Sequence, residues 1–169
     1  KKIGGQSETV PSTIFATACY PYKTILDASV CIDPDVTGQR RGQKSCTVKD
    51  LTLGDGQGAP LVVTKIETRM LPQQDETKVK PHFIIFIKNS GDGQVIRREV
   101  TEEGNPPVNI LERVCSSEPL SYMKEKDFNT FKVRATLSGA ELDCDPDEGI
   151  VPGFTEARLK DKEDMVRCT

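Results

Sequence analysis

Six cysteines in 169 residues constrain this chain more than any other feature. They are Cys19, Cys31, Cys46, Cys115, Cys144 and Cys168. None stands in a C-x-x-C pair and the single histidine is His82, so the common zinc spacings and mixed Cys/His sites are absent. An even set of this kind reads as disulfides, which persist in oxidising, extracytoplasmic compartments; hyperthermophile cytosol is the known exception. Six cysteines allow fifteen connectivities, and sequence alone does not choose among them. Loop length favours Cys31–Cys46 and Cys144–Cys168, each closing a loop worth roughly 3 kcal/mol in the chain-entropy model. Cys19–Cys115 then follows by elimination.

Covalent staples suit what the rest of the chain offers. Hydrophobic residues make up 36%, aromatics only 5%, and there is no Trp, so the core is lean. The length fits one full domain or two small ones. A net charge of −3 argues against a nucleic-acid binder, and the densest basic spot, "GQRRGQK" with Arg40, Arg41 and Lys44, reads as a loop. No window approaches the roughly 18 apolar residues of a membrane span. The opening "KKIGGQSETVPS" lacks Met and reads as the stub of a linker or leader, so an upstream signal, anchor or other segment is expected.

Hydropathy alternates with period two along much of the chain. Residues 12–20, 24–32 and 46–53 read as strands by their β-branched and aromatic content. In "PLVVTKIETRML", Val62, Thr64, Ile66, Thr68 and Met70 fall on one face and Lys65, Glu67 and Arg69 on the other. A polar turn, "PQQDET", leads into "KVKPHFIIFIKN". There Val79, Phe83, Ile85 and Ile87 share a face while Ile84 and Phe86 point the opposite way, so this strand is either covered on both sides or exposes a sticky pair. Pro81 places the strand's entry at an edge or bulge. Residues 95–101 and 130–137 read as further strands, 108–114 as strand or helix, and 119–127 as the one helical candidate. Short strands spaced by Gly/Pro/Asp turns predict an all-β, Ig-like antiparallel sandwich with very little helix. The expected organisation is a leader over 1–11, the main sandwich over 12–126, and 127–169 as strands that complete it or form a small second β subdomain.

Two glycine loops share the tetrapeptide GDGQ, in "LGDGQGAP" and "SGDGQVI". A dinucleotide loop must open a helix, whose N-terminus holds the anion. Both loops run into strand patterns, so the second reads as a β-hairpin turn with Asn89 and the glycines supplying φ > 0. Two acidic loops also rhyme: "CIDPD", with Asp33 and Asp35, and "DCDPDEG", with Asp143, Asp145, Asp147 and Glu148. Clustered carboxylates bind calcium, and the second loop approximates D-x-D-x-D-G. Its Gly comes one place late and no bidentate Glu stands at the expected distance, so a solvated Asp-Pro turn is the competing reading. His82 reads as an outward strand residue. G-x-S-x-G, H-E-x-x-H and P-loop motifs are all absent. No catalytic residue and no cofactor other than this possible calcium is expected.

The segment "VKPHFIIFIKNSGDGQVI" resembles the central hairpin of CARDB-type Ig-like modules of microbial surface proteins. "CYPYKT", "VCIDPDV", "CTVKDLTL" and "GQGAPLVVTKIE" precede it in the same order as in a group of uncharacterised archaeal proteins that carry a membrane helix and an external β domain. The resemblance covers roughly residues 17–97 specifically, and extends less specifically to the "LDCDPD…VRCT" end. It implies a cell-surface location and an Ig-like fold, and brings no catalytic residues.

The function expected from all this is a non-catalytic extracellular structural protein acting through protein–protein contacts with itself or other surface proteins. Ile14 and Phe15, in "QSETVPSTIFATACY", would leave their own subunit and add as a strand to a neighbour's sheet in a filament. Ile84 and Phe86 would meet a partner on the other face. The alternative is a calcium- or glycan-binding adhesion module.

Overall fold

The computed structural model describes residues 11–38, 42–54, 56–75, 78–100, 108–110, 114–115, 124–145 and 153–169. The fold is all-β, with antiparallel sheets throughout. Its spine is a long hairpin, β2 (Leu61–Pro72) and β3 (Val79–Asn89), joined at the polar turn. Around it a five-stranded sheet runs in the order β1-β2-β3-β11-β9, where β1 is Leu51–Thr52, β9 is Cys144–Asp145 and β11 is Glu163–Cys168. The carboxy-terminal strand thus belongs to the same sheet as the central hairpin.

A second sheet pairs β6 (Thr130–Val133) with β10 (Thr155–Arg158). Its Phe131, Val133 and Ala157 pack into one cluster with Leu61, Ile85, Ile87, Val166 and Cys168 of the main sheet. This is where the core sits, and Val166 and Cys168 are completely buried there. Two small pairs complete the described strands: β4 (Glu99–Val100) with β5 (Val108–Asn109), and β7 (Thr136–Leu137) with β8 (Ala140–Glu141). Ser138 and Gly139 turn the latter at φ 51 and φ 87, the paired positive values of a tight hairpin turn.

The three disulfides are Cys31–Cys46, Cys144–Cys168 and Cys19–Cys115. Cys144 and Cys168 face each other across β9 and β11 with Cα atoms 4.0 Å apart. The neighbouring pair Asp143/Thr169 exchanges both backbone hydrogen bonds, so Cys144/Cys168 is the closer, non-hydrogen-bonded position.

Several expectations change. Residues 12–20 and 24–32 form no strand, and of 46–53 only Leu51–Thr52 does. β-branched content raises strand propensity but does not supply a neighbour to pair with. Along β2 the register shifts between Val63 and Lys65. This bulge reverses the facing of the strand's start: Leu61 and Val63 join the core, and Val62 lies opposite Lys88 on the other face. The strand expected over 95–101 shrinks to β4, and Ile96 bridges to Phe128 rather than to β3. The connection after Asn89 is therefore a turn that leaves the sheet, not a hairpin. Residues 125–127 form a single 3-10 turn, and most of the helical candidate at 119–127 lies outside the described residues.

Candidate interaction surface

The two GDGQ loops are structural joints. Asn89 folds its side chain over the second: Nδ2 donates to the Gly93 carbonyl at 2.9 Å, and Gly91 N–H donates to Oδ1 at 3.0 Å. Ser90 N–H donates to the Pro60 carbonyl, and Gly91 lies so close to Pro60 that a Cβ there would meet the ring at 3.1 Å. The two loops are thus packed on one another, and neither Gly91 nor Gly93 adopts a positive φ. In the first loop Gln57 takes the place of a missing strand. Its amide donates to the Val63 carbonyl at 2.6 Å and accepts from Val63 N–H at 2.9 Å.

Gln57 is one of three side chains that close the rim of the main sheet. Asp50 Oδ1 accepts from Thr68 N–H at 3.2 Å beyond the end of β1. Asp164 Oδ1 accepts from Met165 N–H at 2.7 Å beyond the end of β9. Sequence patterns do not reveal that Asp50 reaches Thr68, because that partner is set by strand register, whereas Asp164 bonds the next residue along. The one visible signal was a polar residue flanking a strand too short to cover its neighbour. Arg69 grips Asp50 at 2.8 Å and Glu67 at 3.0 Å. The Arg69 guanidinium, with the Thr68 N–H, holds the Asp50 carboxyl below its usual range.

Prolines guard much of what is left. Leu53 N–H donates to the Thr64 carbonyl and Thr68 N–H to Asp50, so every second residue of β2 faces outward: Thr64, Ile66, Thr68, Met70 and Pro72. Pro72 has no N–H to offer, and Pro81 occupies the matching outward position on the β11 side of β3. β11 pairs with β3 only up to Phe83, and β1 with β2 only at Lys65 and Ile66. The hairpin tip from Arg69/His82 to Pro72/Val79 therefore projects past both flanking strands. Along β2 beyond Asp50, Met70 is the outward position that still carries an N–H.

Ile84 and Phe86 lie on the face away from the core, as their alternation required, and both are half-buried within the single chain. Ile84 sits between Glu67 and Arg167, and Phe86 between Lys65 and Met165. Lys65 Nζ lies 5.5 Å from the Phe86 ring centre. An open depression beside Phe86 is lined by Thr64, Glu163 and Met165. Ile14 and Phe15 are very different. They are 89% and 90% exposed on a segment without a strand of its own. Tyr20 and Ile25 on the same segment are exposed as well. This segment is fastened at Cys19–Cys115 and by Thr24, whose hydroxyl donates to the Leu61 carbonyl at 2.5 Å.

The acidic loops separate in character. Lys44 Nζ stands 2.6 Å from Asp33 and 3.8 Å from Asp35, so the first loop holds an ammonium of its own. The hydrogen bond to Asp33 pushes the Lys44 pKa up. In the second, Asp143 lies in the backbone pair with Thr169, and Asp145 stands opposite Arg167. Asp147 and Glu148 lie outside the described residues. Among the described residues no three potential ligands converge as a metal site. His82 pairs across the strands with Arg69. No described helix is long and apolar enough to cross a membrane.

Comparison of the chain with protein-family models, curated proteins and solved structures gave no match.

Proposed function

We propose that this chain is a non-catalytic, extracellular structural protein with an Ig-like β-sandwich body, a cell-surface component whose copies associate through the amino-terminal segment. The observation that carries this is the near-complete exposure of Ile14 and Phe15 beside a covalent anchor at Cys19. A stretch with the composition of a strand, no strand partner among the described residues and large apolar side chains in water gains most by adding to another sheet. Three disulfides with no free cysteine support an oxidising location. The archaeal surface-protein resemblance of the quoted motifs supports the same setting.

The test is deletion of residues 1–18, which leaves Cys19–Cys115 in place. Light scattering across a concentration series is expected to find assemblies of the intact chain and monomers of the shortened one. The melting temperature of the dilute, unassociated protein should stay nearly the same, because residues 11–18 are all exposed. Equal assembly by both chains overturns the proposal.

A further inference from the structure

We infer that the hairpin tip of β2, Arg69–Pro72, is the acceptor to which residues Thr13–Ala16 of a second copy add as a short antiparallel strand. This rests on the reading that the amino-terminal segment makes the contact between copies, and it names where that segment goes.

Along β2 the acceptor is singled out by what blocks the other outward positions. Gln57 occupies Val63, β1 occupies Lys65 and Ile66, and Asp50 occupies Thr68. On the opposite rim, β9 and the Asp164 carboxylate occupy β11, and Pro81 withholds its N–H, which leaves Val79, at the very start of β3, as the outward donor there. Met70 is left with an outward N–H and carbonyl, followed by the Pro72 carbonyl. A strand of this length is ordinary for this sheet, since β1 and β9 each pair over only two residues.

The side chains match as well. Successive residues of a strand point to opposite faces, so adjacent apolar residues on the donor need adjacent apolar residues on the acceptor. Met70 is half-buried and Leu71 is 42% exposed, one on each face of the tip. With Phe15 opposite Met70, Ile14 falls opposite Leu71. Phe15 then extends the row Met70–Pro81, and Ile14 the row Leu71–Lys80. The donor "PSTIFATACY" carries no charge to oppose the cationic Arg69 and Lys80 beside it.

The test uses the full chain in sedimentation velocity, with amide hydrogen exchange read at Met70 over the same concentration series. Exchange at Met70 is expected to be fast in dilute protein and protected as copies associate. Met70→Pro, which removes an outward N–H and no hydrogen bond within the hairpin, is expected to weaken association about tenfold or more. Ile14→Ser with Phe15→Ser should weaken it similarly. If the serine variant loses association while Met70 exchanges at one rate throughout, the segment is the contact but this acceptor is wrong. If Met70 is equally protected at every dilution, the strand comes from its own chain and the second copy is overturned. A wild-type chain that stays monomeric throughout overturns both this inference and the proposed function. Should Met70→Pro unfold the hairpin, the exchange measurement on the wild type decides alone.

Discussion

Arg97 and Glu156 meet at 2.8 Å with side chains only 14% and 9% exposed. Glu156 lies on β10 opposite Lys132, and Arg97 reaches it from the segment that bridges at Ile96. Arg97 Nε is buried without a partner, so the pair is imperfectly satisfied from the outset. Glu156→Ala is expected to destabilise the chain by about 2–3 kcal/mol, because it strands a desolvated guanidinium. Arg97→Met with Glu156→Leu should recover most of that loss; urea denaturation of the parent and both variants is the check. Tyr22 responds to alkali instead. Tyr22 is 37% exposed, and partial burial of its phenol, assisted by neighbouring Tyr20, raises it from 10.0 to about 12. A raised acid favours its protonated form in the fold. Its stabilising contribution is complete below the unfolded value near 10.0 and declines as pH rises to about 12. Ultraviolet titration should show a late-ionising tyrosine that Tyr22→Phe removes.

At the scale of elements, the hairpin β2–β3 was legible because alternation, two prolines and a polar turn agreed with each other. The facing of Val62 was not. Leu61, Val62 and Val63 are all apolar, so an extra residue at Thr64 leaves no mark on the pattern while it turns three side chains over. Ile14 and Phe15 mislead in a complementary way. Their sequence is that of a strand, yet Gln57, Asp50 and Asp164 take up edge positions that a strand would otherwise use. Gln57→Ala should cost about 1–2 kcal/mol by leaving the Val63 N–H and carbonyl without protein partners. Faster amide exchange at Val63 is the direct readout, with the thermal midpoint as control. Val63 exchange as slow as in the parent would show that the side chain is not what protects this edge.

For the whole molecule, the cysteines carried more of the architecture than the apolar residues did. Short loop lengths pointed to Cys31–Cys46 and Cys144–Cys168, and the remaining pair needed no pattern at all. What stayed hidden was how segments far apart in the chain meet, such as Glu163–Cys168 beside β3 or Ile96 against Phe128. Such meetings depend on the path of the loops, which local composition does not record. The staples also settle how the protein answers to force. A pull on its two ends crosses from Cys19 to Cys115, follows the backbone to Cys144, and crosses again to Cys168. The spine hairpin lies inside the first covalent loop and nearly all of β11 inside the second, so tension passes them by. With separations of 96 and 24 residues, on the order of 400 Å of chain is withheld from stretching while both bonds stand. Under load, the protein is a short tether with its main sheet slung alongside.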